Sequence, residues 1–225
     1  MDRIDVFVET GKTRTFAGAI DWPGWCRSGR GEAAALQALI DYGPRYARAI
    51  RGARPSASSG RFAPPPQVTA LKVVERQLGN ATTDFGAPDA ALASDELPVS
   101  DDELRRLQAL LKACWRTLDS AAKAAAGREL RKGPRGGGRD LDAIVQHVLM
   151  AEVGYLGRLG VKVSATGDAA QVRQAALEGL ELSAHGQIPA RGPRGGLHWL
   201  PRRFVRRAAW HILDHAWEIE DRALG

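Results

Sequence analysis

The chain has 225 residues, of which 44% are hydrophobic and 26% charged, as is usual for a globular protein with cores of its own. The net charge of +6 comes mainly from arginines scattered along the chain, and this distribution predicts no nucleic-acid surface. No apolar run approaches the roughly 20 residues that a membrane helix needs, so no membrane span is predicted.

The start of the chain lacks a basic segment followed by an apolar one, so no secretion signal is expected. Cys26 and Cys114 lie far apart and show no metal-ligand spacing. These two features predict a cytoplasmic protein whose thiols are reduced.

The first hundred residues favour a small mixed unit. Residues 5–9 and 14–20 are rich in β-branched and aromatic side chains around a Gly-Lys turn, which predicts a β-hairpin. Residues 31–50 carry apolar side chains at helical spacing, and residues 69–78 alternate like a strand, although a short helix also fits them. The sequence therefore predicts a β-β-α-β domain over residues 1–95, whose exposed strand edge would favour a homodimer.

From Ser100 onward the pattern is helical. Ser100 and Glu103 have the spacing of a capping box, which predicts the start of a helix that runs to about residue 127. Three more helices are predicted over residues 140–159, 169–183 and 200–223. The fold class is thus α+β, with a four-helix bundle over residues 96–225 after the small domain.

The five histidines all lie in the last 79 residues of the 225, and three of them are candidate metal ligands. His211 and His215 are four apart in a helical segment, so both imidazoles project from one face. His147, in a neighbouring helix with an apolar flank, is the candidate third ligand. Three imidazoles suit a divalent ion such as Zn, Ni or Fe. The alternative is a bundle whose histidines are simply buried.

Other polar residues near these histidines are candidates for supporting roles. Glu218 follows His215 by three residues, so it could accept a ligand N–H or be a solvated carboxylate. Arg135 and Arg194 lie in two Gly-Pro-Arg-Gly-Gly loops, and Arg203 belongs to a basic cluster at the start of the last helix. We expect these arginines to meet an anionic substrate, a thiol cofactor or protein carboxylates, unless they are exposed arginines without a role.

The segments DLDAIVQHVLMAEVGYLGRL and RRAAWHILDHAWEIEDR resemble the DinB-like, or YfiT-like, metalloenzymes. The resemblance covers about residues 100–225 and implies a four-helix bundle in which His147, His211 and His215 bind the metal. It further implies a metal-dependent enzyme acting on a small molecule, either a transferase or isomerase that uses a low-molecular-weight thiol, or a hydrolase. The chain lacks the Gly-Gln pair that often follows the histidine pair in that family.

The N-terminal part resembles a HicB-like domain in its WPGWC segment at residues 22–26 and the Ala/Leu-rich helix that follows. This resemblance implies a module that binds a protein partner or forms oligomers. The same residues are equally consistent with an ordinary turn that packs aromatic rings on both sides. The alternative to an enzyme is therefore a non-catalytic binding or regulatory protein.

Overall fold

The computed structural model describes residues 3–53, 60–132, 138–164 and 168–223, and it shows a mixed α/β protein. A small four-stranded sheet at the N-terminus is followed by helices. The strands are β1 (Ile4–Thr10), β2 (Thr15–Ala19), β3 (Cys26–Gly29) and β4 (Leu71–Leu78). Six α-helices lie in the described part of the chain: α1 (Glu32–Ala49), α2 (Ala81–Phe85), α3 (Asp101–Ala125), α4 (Leu141–Leu159), α5 (Ala169–Ala184) and α6 (Pro201–Ala223).

The sheet has the strand order β3-β2-β1-β4. β1 and β2 form the predicted antiparallel hairpin, and β4 pairs with β1 in parallel after the chain crosses over through α1. The strand assignment of residues 69–78 is confirmed, with a short 3-10 turn at Val68–Ala70 before it. The predicted β-β-α-β unit lacked β3, which pairs with β2. The sequence of β3, CRSG, has no apolar alternation, so its pairing depends on its neighbour and not on its own pattern.

An aromatic cluster holds α1 against the sheet. Trp25 is fully buried and donates its indole N–H to the carbonyl of Leu39 over 2.8 Å. The hydroxyl of Tyr46 donates to the carbonyl of Pro23 over 2.9 Å, and Phe62 packs edge-on against both rings. Gly24, at the turn, has a φ of +94° that favours glycine. The interpretation of this segment as a turn with aromatic packing is confirmed.

The helices after the sheet begin where capping side chains satisfy free backbone N–H groups. Ser100 accepts the N–H of Glu103 before α3, and Asp140 and Asp168 do the same for α4 and α5. Only half of the predicted capping box forms, because the Glu103 carboxylate binds Arg202 over 2.9 Å instead.

The helices and the sheet share one hydrophobic core. α3 packs against α5 and α6, and α4 packs against α5 and α6. Leu39 of α1, Leu107 of α3 and Leu213 of α6 belong to the same buried cluster. The predicted boundary between residues 95 and 96 therefore separates two stretches of sequence whose cores are continuous. Among the described residues, no helix combines the length and apolarity needed to cross a membrane.

Between α3 and α4 a carboxyl group is buried. Glu152 is 5% exposed, and the indole N–H of Trp115 donates to it. Burial raises the pKa of Glu152 from its ordinary value of 4.5 to about 7. A carboxyl with a raised pKa favours the folded state only while it is protonated, so its contribution to stability is lost as pH rises from about 4.5 to about 7.

We therefore expect the free energy of unfolding of Glu152→Gln, relative to that of the wild type, to rise between about pH 5 and pH 8. The total rise should be on the order of 3 kcal/mol. Glutamine keeps an acceptor for Trp115 and cannot ionise. Urea unfolding of both proteins across this pH range measures the difference, with the exposed Glu181→Gln as the matched control. Parallel pH profiles for wild type and Glu152→Gln would contradict the expectation.

Candidate metal centre

Three histidine side chains from two helices converge at one point. His147 lies in the middle of α4, and His211 and His215 lie one turn apart on α6, which packs against α4. One ring nitrogen of each residue lies within 4.8 Å of the other two. Nε2 of His147 and Nε2 of His211 are 3.3 Å apart. The cluster could hold a metal ion.

The spacing and protonation of the His147 and His211 rings fit a metal. Two nitrogens that each lie 2.0–2.1 Å from one tetrahedral ion are about 3.3 Å from each other, as are those of His147 and His211. Burial lowers the pKa of His211 to about 2 and also lowers the pKa of His147. Both rings are therefore neutral at physiological pH, which is the form that binds metals.

Glu218 orients the third ring. Its Oε2 lies 2.7 Å from Nδ1 of His215, and Arg222 donates to its Oε1 over 2.7 Å. The hydrogen bond from His215, followed by the contacts with Arg222, lowers the pKa of Glu218. An ionised carboxylate only accepts hydrogen bonds, so Nδ1 of His215 must be the donor. Nε2 of His215 is then the nitrogen left as a ligand.

His211 differs from His215 in its second nitrogen. Nδ1 of His211 is buried and has no hydrogen-bond partner among the described residues. A buried polar atom without a partner costs free energy, and His211 therefore lacks the second hydrogen bond by which Glu218 holds His215.

The aromatic and basic side chains around His211 were not predicted from the sequence to be its neighbours. The ring of Tyr155 lies 5.7 Å from the His211 ring, and the Arg207 guanidinium stacks over both Tyr155 and Trp210. Helical spacing is the signal that could have found them, since Arg207 precedes His211 by four residues and Tyr155 follows His147 by eight.

Two of the three arginines predicted to bind an anion lie in the described structure, and they line different depressions. Arg194 lies exposed in the loop before α6, in a depression that it shares with Arg158 and His198. Arg203 donates to the carbonyl of Asp89 over 2.9 Å and stacks over Trp199. Arg135 lies outside the described residues.

Two other arginines of the basic cluster meet protein carboxylates, which is one of the three partners expected for this cluster. Arg202 pairs with Glu103 over 2.9 Å, and Arg206 pairs with Asp95 over 2.6 Å. Positive charge at the start of α6 is therefore compensated by acidic residues from outside that helix.

Glu218→Gln should weaken metal binding by about 10- to 100-fold, the usual effect of losing a carboxylate that orients a ligand histidine. The amide carries no charge and would therefore hold Nδ1 of His215 less firmly. Competition with a chelating metal indicator measures the affinity. Glu220→Gln is the matched control, because that carboxylate lies on the same helix and pairs with Arg45. Equal affinities for the two variants would show that Glu218 does not support the site.

Comparisons of the chain with protein-family models, with curated proteins and with solved structures each find no match.

Proposed function

We propose that the chain is a metal-dependent enzyme of the DinB-like type that acts on a small molecule, with α3 to α6 as its four-helix bundle. The observation that carries this proposal is the convergence of His147, His211 and His215, which come from two helices and place ligand atoms within 4.8 Å of one another. The packing of α4 against α6, which brings them together, is what the resemblance to that family implies.

The three histidines hold the metal, and each of the other groups at the site has a separate part. Bound there, a divalent metal supplies Lewis acidity and lowers the pKa of a coordinated water or thiol. Glu218 keeps Nδ1 of His215 protonated and the ring in position. Tyr155 packs beside His211 with the Arg207 guanidinium stacked on it, and the two side chains cover one side of the cluster. Three protein ligands leave a coordination position for a reactant.

Turnover of electrophilic small molecules tests this function. Protein reconstituted with Zn, Ni or Fe would be assayed against a panel of epoxides, activated esters and activated double bonds, with and without low-molecular-weight thiols. We expect turnover that depends on the metal and is lost in His147→Ala. His185→Ala is the matched control, because that exposed histidine pairs with Asp101 away from the cluster.

A binding or regulatory function is the second candidate, and the open edge of the sheet favours it. β4 is an edge strand, and it leaves Val74 44% exposed and Leu78 88% exposed. Such an edge suits pairing with another strand, from a partner protein or from a second copy of this chain. Absence of turnover together with specific co-purification of a protein partner would favour this candidate over the enzyme.

A further inference from the structure

A cleft of about 560 Å³ lies between α6 and the N-terminal sheet. This volume is within the range of small-molecule sites, which is roughly 300–1,000 Å³. The aromatic side chains in its wall come from both parts of the chain: Phe16, Tyr42, Trp210 and Trp217. Phe16 packs edge to face on Trp210 and Tyr42 packs on Trp217, so the rings form a continuous apolar wall that suits the flat face of a planar ligand.

Most of the charge in this cleft is already neutralised. Six charged side chains line it, and five of these take part in ion pairs. The pairs are Arg27–Asp214 at 2.8 Å, Arg222–Glu218 at 2.7 Å and, with a partner just outside the lining, Arg45–Asp221 at 2.8 Å.

Arg14 is the sixth charged residue and differs from the others. Its side chain has no ion pair or hydrogen bond with any residue in the described ranges. Its guanidinium lies beside Gly86, where an added β-carbon would come within 3.6 Å of Nη1. Arg14 lies directly before β2 and lines the same cleft as Phe16, two residues later. Arg14 is therefore the one arginine of the cleft lining that has no carboxylate partner among the described residues.

We propose that this cleft binds a planar, apolar molecule that carries one negative charge, of the aromatic carboxylate class. Arg14 holds the carboxylate, because a guanidinium presents two parallel N–H groups that match its two oxygens. The rings of Phe16 and Trp210 pack edge to face 5.9 Å apart and are 2% and 5% exposed, so they form the floor of the cleft beneath the body of the ligand.

The cleft lies next to the histidine cluster. Glu218 lines the cleft and also binds His215 over 2.7 Å, so a single side chain separates the two. That the bound carboxylate is the substrate of the metal-dependent reaction rests on the function proposed above. Binding of the carboxylate in the cleft is independent of that function.

Calorimetric titration of the full chain with 1-naphthoate, and with the neutral 1-naphthamide, tests the inference. We expect naphthoate to bind one to one and Arg14→Gln to weaken it by at least about 10-fold, since a charge-assisted hydrogen bond contributes roughly 1.5–3 kcal/mol. Arg14→Gln should leave binding of the amide unchanged, and Arg14→Lys should restore part of the affinity for naphthoate. The exposed Arg194→Gln is the matched control.

Three outcomes would overturn the inference: no binding of naphthoate to the wild type, equal affinity for naphthoate and naphthamide, or equal affinity of wild type and Arg14→Gln for naphthoate. Circular dichroism of Arg14→Gln establishes that a loss of binding is not a loss of fold. Metal content is measured on the same samples, before and after chelation and in His211→Ala. Naphthoate binding without any metal binding would overturn only the metal-dependent function, and metal binding without naphthoate binding would overturn only the cleft.

Discussion

Replacing His211 with alanine should abolish stoichiometric metal binding. The expected loss of affinity exceeds the roughly 10- to 100-fold that follows from removing an orienting carboxylate, because a ligand atom itself disappears. The variant should still fold, since Nδ1 of His211 has no hydrogen-bond partner in the described part of the chain, and half-buried His147, which loses its contact with Nε2, can bind water instead. Elemental analysis of protein purified without an affinity tag measures the metal directly.

Thermal unfolding provides an independent measurement of the same site. A ligand that binds only the folded protein stabilises it by about 2.7 kcal/mol at a concentration of 100 times its dissociation constant. Added Zn, Ni or Fe should therefore raise the melting temperature of the wild type and of His185→Ala, and a chelator should reverse this. If His211→Ala retains metal at wild-type stoichiometry, the three-histidine site is wrong.

Asp95→Asn should destabilise the fold by about 3–5 kcal/mol, the usual cost of removing one partner from a buried ion pair. The side chains of Asp95 and Arg206 are 5% and 9% exposed, and they meet over 2.6 Å. Asparagine can still accept the N–H of Leu92, as Asp95 does over 2.8 Å, so the substitution removes the charge and retains that hydrogen bond. The free energy of unfolding in urea measures the effect.

Two controls show whether the cost arises from the unpaired arginine. Adding Arg206→Met to Asp95→Asn should recover much of the lost stability, because the buried positive charge is then removed as well. Glu32→Gln breaks the exposed pair with Arg76 and should cost no more than about 1 kcal/mol. A cost below about 1 kcal/mol for Asp95→Asn would show that Arg206 finds water or another partner.

Both predictions concern α6, which has a different role on each side. His211 and His215 face α4, whereas Trp210 and Asp214 line the cleft toward the sheet. Arg206 ties the start of the same helix to the segment between β4 and α3. Since α6 connects the histidine cluster to the N-terminal part, substitutions in the sheet that shift this helix should also affect the metal site.

Helical elements were the most predictable part of the fold. The four predicted after residue 100 agree with α3, α4, α5 and α6 to within about two residues, because apolar side chains at helical spacing and capping residues are local signals. β3 was missed, because four residues without alternation acquire their strand conformation only by pairing with β2. No sequence pattern predicted a role for Arg14, because what distinguishes it is that the other charged residues of the cleft are paired and it is not.

The sequence by itself determined which histidines share a helix face, because the rise and twist of an α-helix place residues four apart on the same side wherever the helix lies. Tertiary structure decided that His147, 64 positions before His211, comes within 3.3 Å of it. That distance depends on how α4 packs against α6, which is set by the many apolar contacts of the shared core. The cleft beside Arg14 likewise exists only because side chains of α6 meet those of β2 and β3.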